Sequence, residues 1–304
     1  MPRDHRLLPF TATLAGVALL SLMDALMKDA ALAIGAFSAL LWRSGLNLAI
    51  IGPVWLAIRR GPTSPALRRL HVRRGVVMSL MGLTFFWGIA RLPLAEALAL
   101  SFIAPLIALF LAAMLLGERI GRSSILASLL GLAGVVLIAL TRFGGGGGPP
   151  AIAEHPQAGW GIAAILFSSV LYAWNLVLQR QQAQLAAPVE VAAWQNLVVC
   201  CVLLLGAPWF LEWAPSSQWS NIAGSAALSL GGALLFAWAY ARAEAQVLVP
   251  VEYTGFAWAA LFGWLFFAES VRPAVLGGAA LIVLGCWIAA PRGRLVKRPE
   301  QTSA

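Results

Sequence analysis

Charge is scarce in this chain. Of its 304 residues only 11% are Asp, Glu, Lys or Arg, where soluble domains carry about 25%. Histidine and cysteine number three each. His5, His71 and His155 fall in a tail or in connections between apolar runs, which leaves those runs without a histidine metal site or histidine proton relay. Cys200, Cys201 and Cys286 lie within apolar runs and form no CxxC pair, so no disulfide framework is encoded and they read as packing residues. No metal or cofactor site is expected. What the chain does hold is apolar: 61% hydrophobic residues and a mean hydropathy of +0.84. A soluble core of this length cannot hide that much apolar surface, so its solvent is the lipid bilayer. The net charge of +9 does not point to nucleic acid, because the arginines sit in short connections where they set topology.

A helix needs about 20 apolar residues to cross the hydrocarbon core. Ten runs meet that need, at about 7–28, 34–57, 75–91, 94–117, 123–141, 158–180, 189–211, 220–240, 246–268 and 273–290. The first is too long for a signal-peptide core and has no clear cleavage site, so it reads as a retained helix. With the N-terminus cytoplasmic, sixteen basic residues fall in cytoplasmic tails and connections, against Lys28, Arg91, Arg142 and Arg272 on the other side. That asymmetry predicts a multi-pass inner (plasma) membrane protein with both termini cytoplasmic.

The runs repeat. "FFWGIAR" (Phe85 to Arg91) returns as "FAWAYAR" (Phe236 to Arg242), an offset of 151 residues that also pairs Glu118 with Glu269 and Gly134 with Gly285. An offset of 152 pairs Trp42 with Trp194. The fold expected is an all-α membrane protein: ten transmembrane helices as two inverted five-helix repeats, because five spans is an odd number. The repeats cover 7–141 and 158–290, with a Gly/Pro-rich linker at 142–157 and a basic tail at 291–304. Inverted repeats are a frequent plan of secondary transporters, whose substrate sites lie near the midplane between the repeats.

"RLPLAEALALSFIAPLIALFLAAMLLGERIG" (Arg91 to Gly121) and "PVEYTGFAWAALFGWLFFAES" (Pro250 to Ser270) resemble the drug/metabolite transporter superfamily, in its ten-span form with two EamA domains. The second copy departs from the motif, with "FAES" where the first has "LGER". The resemblance implies four helices from each half around a central cavity, with spans five and ten at the periphery. It also implies movement of a small metabolite, often an amino acid or another amphiphile, frequently as efflux. It names no substrate and no oligomeric state.

Three ionisable residues fall well inside predicted spans: Asp24, Arg43 and Glu252. Each costs roughly 2.5–3.5 kcal/mol near a helix centre on insertion scales, so each needs a partner or a water-filled cavity. Asp24 and Arg43 have compatible depths on consecutive spans, which predicts an Asp24–Arg43 pair or a shared site that a substrate carboxylate enters. A structural ion pair, or an arginine snorkelling outward, competes with that role. Glu252 follows Pro250 at a disturbed helix start. With Tyr253 beside it, it suits an amino group or a coupling proton, against the plainer role of a first-turn carboxylate favoured by the macrodipole. Glu96 reads as such a first-turn carboxylate, and Glu118 and Glu269 as connection residues beside arginines. Trp174 and Asn175, Trp194 and Gln195, and Trp258 offer the aromatic faces and amides of a ligand pocket, against helix packing and interhelical hydrogen bonding. The glycine-patterned faces Gly131 to Val136 and Val275 to Gly285 suit packing or dimerisation.

No nucleophile with a base and no filter motif is present, so neither an enzyme nor a channel is expected. The reading is a carrier for a small amphiphilic metabolite. An uptake or exchange carrier for a nucleotide-like metabolite, or a scaffold without transport, stands as the alternative.

Overall fold

The computed structural model describes residues 4–59, 61–104, 107, 122–143, 157–183, 185–240 and 251–289. Pro250, Glu118, most of the linker and the basic tail lie outside them. The described residues form helices α1 (Asp4–Ile58), α2 (Pro65–Ile89), α3 (Leu94–Ser101), α4 (Arg122–Phe143), α5 (Ala158–Ala183), α6 (Pro188–Phe210), α7 (Trp219–Tyr240), α8 (Gly255–Phe267) and α9 (Pro273–Ala289). A short 3-10 turn, Ser216–Gln218, precedes α7. No strand occurs among the described residues.

The apolar part of α1, Leu8–Ile58, is 51 residues long, about 77 Å if straight. The hydrocarbon core is roughly 30 Å thick, so it must fold back. It does so at Gly35, whose φ of 75° and ψ of 152° break the helix into two arms. The sequence predicts a first span ending near residue 28 and then a loop. Instead the run Asp29 to Ile34 stays helical, because its alanines and leucine are good helix formers and only Gly35 adopts the breaking conformation. Lys28 is therefore a buried helix residue, not a loop charge.

A second correction concerns the arginine-rich stretch before span three. It is helical from Pro65, with the Ser64 hydroxyl accepting from the Leu67 N–H and a proline in the first turn. His71 and Arg74 thus lie in a helix and are buried, not in a loop.

The arms pack on the second half of the chain. The first arm lies along α7, where a Cβ at Gly16 or Gly232 would meet Phe236 at 2.9 Å or Leu20 at 2.8 Å. The second arm meets α6, with the Ser38 hydroxyl donating to the Phe210 carbonyl and Trp42 Nε1 to that of Glu212. Helices α4 and α9 cross where a Cβ on Gly134 would lie 2.5 Å from the Gly278 carbonyl oxygen. The glycine faces of the last spans therefore pack on each other within one chain. Lipid offers no hydrophobic drive between helices, so such close approach is what holds them.

Candidate functional site

Helices α3 and α8 mark the centre. After Ser101 the chain turns at Phe102 and Ile103: the Phe102 N–H is shared between the carbonyls of Leu98 and Ala99, and the Ile103 N–H donates to Leu100, three residues back. Tyr253 and Thr254 turn in the same way, with Thr254 N–H donating to Val251 and Phe256 N–H to Tyr253. Phe102 and Tyr253 are repeat mates at the 151-residue offset. Their rings pack edge to face, centroids 5.3 Å apart at 90°. Spans four and nine thus break at equivalent positions, and the breaks touch where the halves meet. A Cβ on Gly255 would contact Leu98 at 3.5 Å and the Ser21 hydroxyl at 3.9 Å, so the first arm of α1 closes the same crossing.

Asp24 lies one turn beyond Ser21 and is half-buried. Among the described residues no ion pair within 4.0 Å joins it to Arg43, although the two charges act on one another through space. Arg43 instead donates from Nη1 to the Met23 sulfur at 3.1 Å and stands over the Phe86 ring at 5.0 Å. A thioether is a weak acceptor, and the buried Nε of Arg43 has no hydrogen-bond partner. One turn along the same arm, Asn47 donates across the halves to the Ser229 hydroxyl at 3.0 Å, while its Oδ1 is buried without a partner. A guanidinium donor and an amide acceptor thus stand one turn apart, both unsatisfied. Asn47 was missed by the sequence reading. Its signal was the four-residue spacing from Arg43 on one helix face.

The other candidates divide. Glu252 is half-buried beside the Tyr253 break, and its charge is felt by the Tyr172 phenol of α5. Trp258 stacks on Phe262, centroids 6.0 Å apart. Trp174 is not brought to the site: it lies on the exposed face of α5 with Phe167 and Val170, spaced three and four residues apart, the pattern of a lipid-facing stripe. Gln195 is half-buried on α6.

Asn175 and Trp194 belong to a second polar cluster, near the end where α1 begins. Asn175 accepts from Arg74 Nε at 2.9 Å, and Gln182 accepts from Arg74 Nη1 at 2.8 Å. With its oxygen so used, Gln182 donates from Nε2 to His71 Nδ1 at 2.7 Å. The His71 proton then sits on Nε2, 3.6 Å from Glu190 Oε1, too long for a good hydrogen bond. His71 stacks flat on Trp194 at 5.4 Å. Burial holds its imidazole below the usual histidine range, and Arg74 adds to this against the opposing pull of Glu190.

Glu269 is also more than a connection residue. It is buried, and its partner is Lys28 rather than an arginine.

The sequence profile of the EamA-like transporter family matches residues 9–140 and again 159–290. The pseudopaline exporter of Pseudomonas aeruginosa is 26% identical over 274 residues, 88% of this chain and 90% of its own. An uncharacterized transporter of Helicobacter pylori is 28% identical over 225 residues, 72% of each chain. The riboflavin transporter of Rhizobium johnstonii is 24% identical over 216 residues, 70% of this chain and 67% of its own. A crystal structure of a protein 24% identical shares the fold, with a TM-score of 0.59 over 92% of this chain and 96% of that one.

Proposed function

The chain belongs to the EamA-like transporter family, and on that premise we propose that it exports a small zwitterionic or amphiphilic metabolite by alternating access. It is a multi-pass membrane transporter, not an enzyme. The observation that carries the mechanism is the pair of helix breaks at Phe102 and Tyr253, in contact across the two inverted halves. Broken spans at equivalent repeat positions are where such carriers place their substrate.

Arg43 sets the polarity of the cargo. A guanidinium held by a thioether and a ring has donors to spare, which suits the carboxylate of an amino-acid-like substrate. Asp24 or Glu252 takes the amino end, and Phe102, Tyr253 and Trp258 flank the apolar part. The pseudopaline exporter among the relatives supports the outward direction, and the riboflavin transporter supports variation of cargo within one fold. Glu252 is the group placed to carry a coupling proton.

Counterflow in proteoliposomes tests the reading. Vesicles loaded with unlabelled amino acids or nucleosides take up labelled compound from outside. Saturable uptake that the internal pool stimulates is expected. Arg43→Gln is expected to lower it by about tenfold or more, the size of a lost charged hydrogen bond. Flux that ignores the internal pool would mean a channel, and full uptake by Arg43→Gln would remove Arg43 from the site.

A further inference from the structure

We infer that Lys28 and Glu269 form a latch that closes the far end of the transport path, the end away from Asp4, and must separate for that end to open. The inference rests on the carrier reading above and goes beyond it by assigning the residues that gate.

The two residues stand 241 positions apart, in opposite repeats, and both are buried. Glu269 Oε1 pairs with Lys28 Nζ, and Oε2 accepts the Leu94 N–H at 2.7 Å. Lys28 Nζ also donates to the Leu92 carbonyl at 2.5 Å and lies over the Phe267 ring at 5.0 Å. Leu94 opens α3, whose preceding residue, Pro93, offers no side-chain cap. The free N–H at the start of a first-half helix is thus capped by a carboxylate from the second half. Gly263 leaves room for this, because a Cβ there would lie 2.6 Å from Glu269 Oε2.

The position of these groups argues for a latch rather than a general tie. Leu94–Ser101 runs from the latch to the break at Phe102. Gly255–Phe267 runs from the break at Tyr253 to the latch. One segment comes from each repeat, each has a turn at its inner end, and their outer ends are joined by the Lys28–Glu269 pair and its contacts to Leu92, Leu94 and Phe267. A buried pair suits such a joint. Desolvation offsets most of its attraction when closed, and water replaces its partners when the joint opens. Closure is therefore specific in geometry while costing little to reverse.

The test reads access to Ser21, which is 3% exposed, sits at the crossing of α1, α3 and α8, and lies about 10 Å along α1 from Lys28. Ser21→Cys is introduced in full-length protein whose Cys200, Cys201 and Cys286 are replaced by alanine. A membrane-impermeant thiol reagent is applied to intact cells and to inverted vesicles. Labelling from the latch side is expected to be slow, and to quicken about tenfold with Glu269→Gln, which removes the charge but keeps an oxygen for Leu94. Gly263→Ala, which displaces the carboxylate and leaves both charges in place, is expected to act in the same direction. A pair that only holds the fold would not raise labelling from one side. Unchanged or two-sided labelling in folded variants overturns the latch. So does failure of both variants to reach the membrane folded, since the pair would then be indispensable scaffolding. The readout needs no substrate, so a negative result leaves the carrier reading to stand or fall on counterflow.

Discussion

Arg43 is offset without a carboxylate contact, and that separates two roles the sequence leaves joined. Since Asp24 is not bonded to it, Asp24→Asn is expected to change stability by less than about 1 kcal/mol, read as the melting midpoint in detergent. A loss of several kcal/mol would show that the ion pair forms after all. Glu252→Gln is expected to abolish the response of transport to an imposed pH gradient while leaving counterflow measurable. Unaltered coupling would exclude Glu252 as the proton carrier. His71 gives a pH effect with a definite sign. Burial lowers its folded pKa from the ordinary histidine value of 6.5, so below about pH 6.5 the unfolded chain binds more protons than the folded one. Stability must therefore fall as pH drops from 6.5 towards the folded value. Melting midpoints from pH 8 to 5 should show this loss, and His71→Gln should flatten it. The same residues show why candidate sites are only partly readable from sequence. Trp174 and Asn175 are neighbours, but 100° apart on a helix, so one meets Arg74 and the other faces outward. Their identities alone do not say which.

Among the described residues, helix boundaries depart from hydropathy where one residue or a distant partner decides. Two glycines with open surroundings make the point. A Cβ at Gly35 or at Gly45 meets nothing within 4 Å. Only Gly35 has a positive φ, and its φ/ψ region is nearly closed to other residues. Gly35→Ala is thus expected to destabilise by about 1–3 kcal/mol through backbone strain alone. Gly45→Ala, inside a regular helix, is expected to stabilise by about 0.5–1 kcal/mol. Thermal unfolding of both variants checks the contrast, and equal effects would mean the arms do not hinge at Gly35. In the sequence these glycines look alike among 29. The burial of Lys28 was equally hidden, because what stabilises it lies just before α3 and just beyond α8, far along the chain. His71 and Arg74 read as loop residues because they stand in an arginine-rich run with Arg68, Arg69 and Arg73. The partners that bury them, Gln182 and Asn175, come from the other repeat.

The architecture as a whole was the most legible part. It depends on span count and duplication, which ten apolar runs and a gapless 151-residue offset carry without any knowledge of packing. Its expected orientation in the membrane rests on a separate signal, the excess of basic residues on one side, sixteen to four by the spans read from sequence and fifteen to three once the buried helix residues Arg74 and Lys28 are set aside. Reporter fusions test the two independently. Five spans precede Gly146 and five follow it, so the linker and the C-terminal tail must face opposite compartments whichever way the chain inserts. Alkaline phosphatase, active only outside the cytoplasm, is expected to be active when fused at Gly146 and inactive when fused after Ala304, with green fluorescent protein giving the reverse. Matching signals at both sites would refute the odd-numbered repeat, and with it the inversion on which alternating access depends. Opposite signals in the wrong sense would keep the repeat and reverse the topology. The far end closed by Lys28 and Glu269 would then face the cytoplasm, and the sidedness of Ser21→Cys labelling must reverse with it.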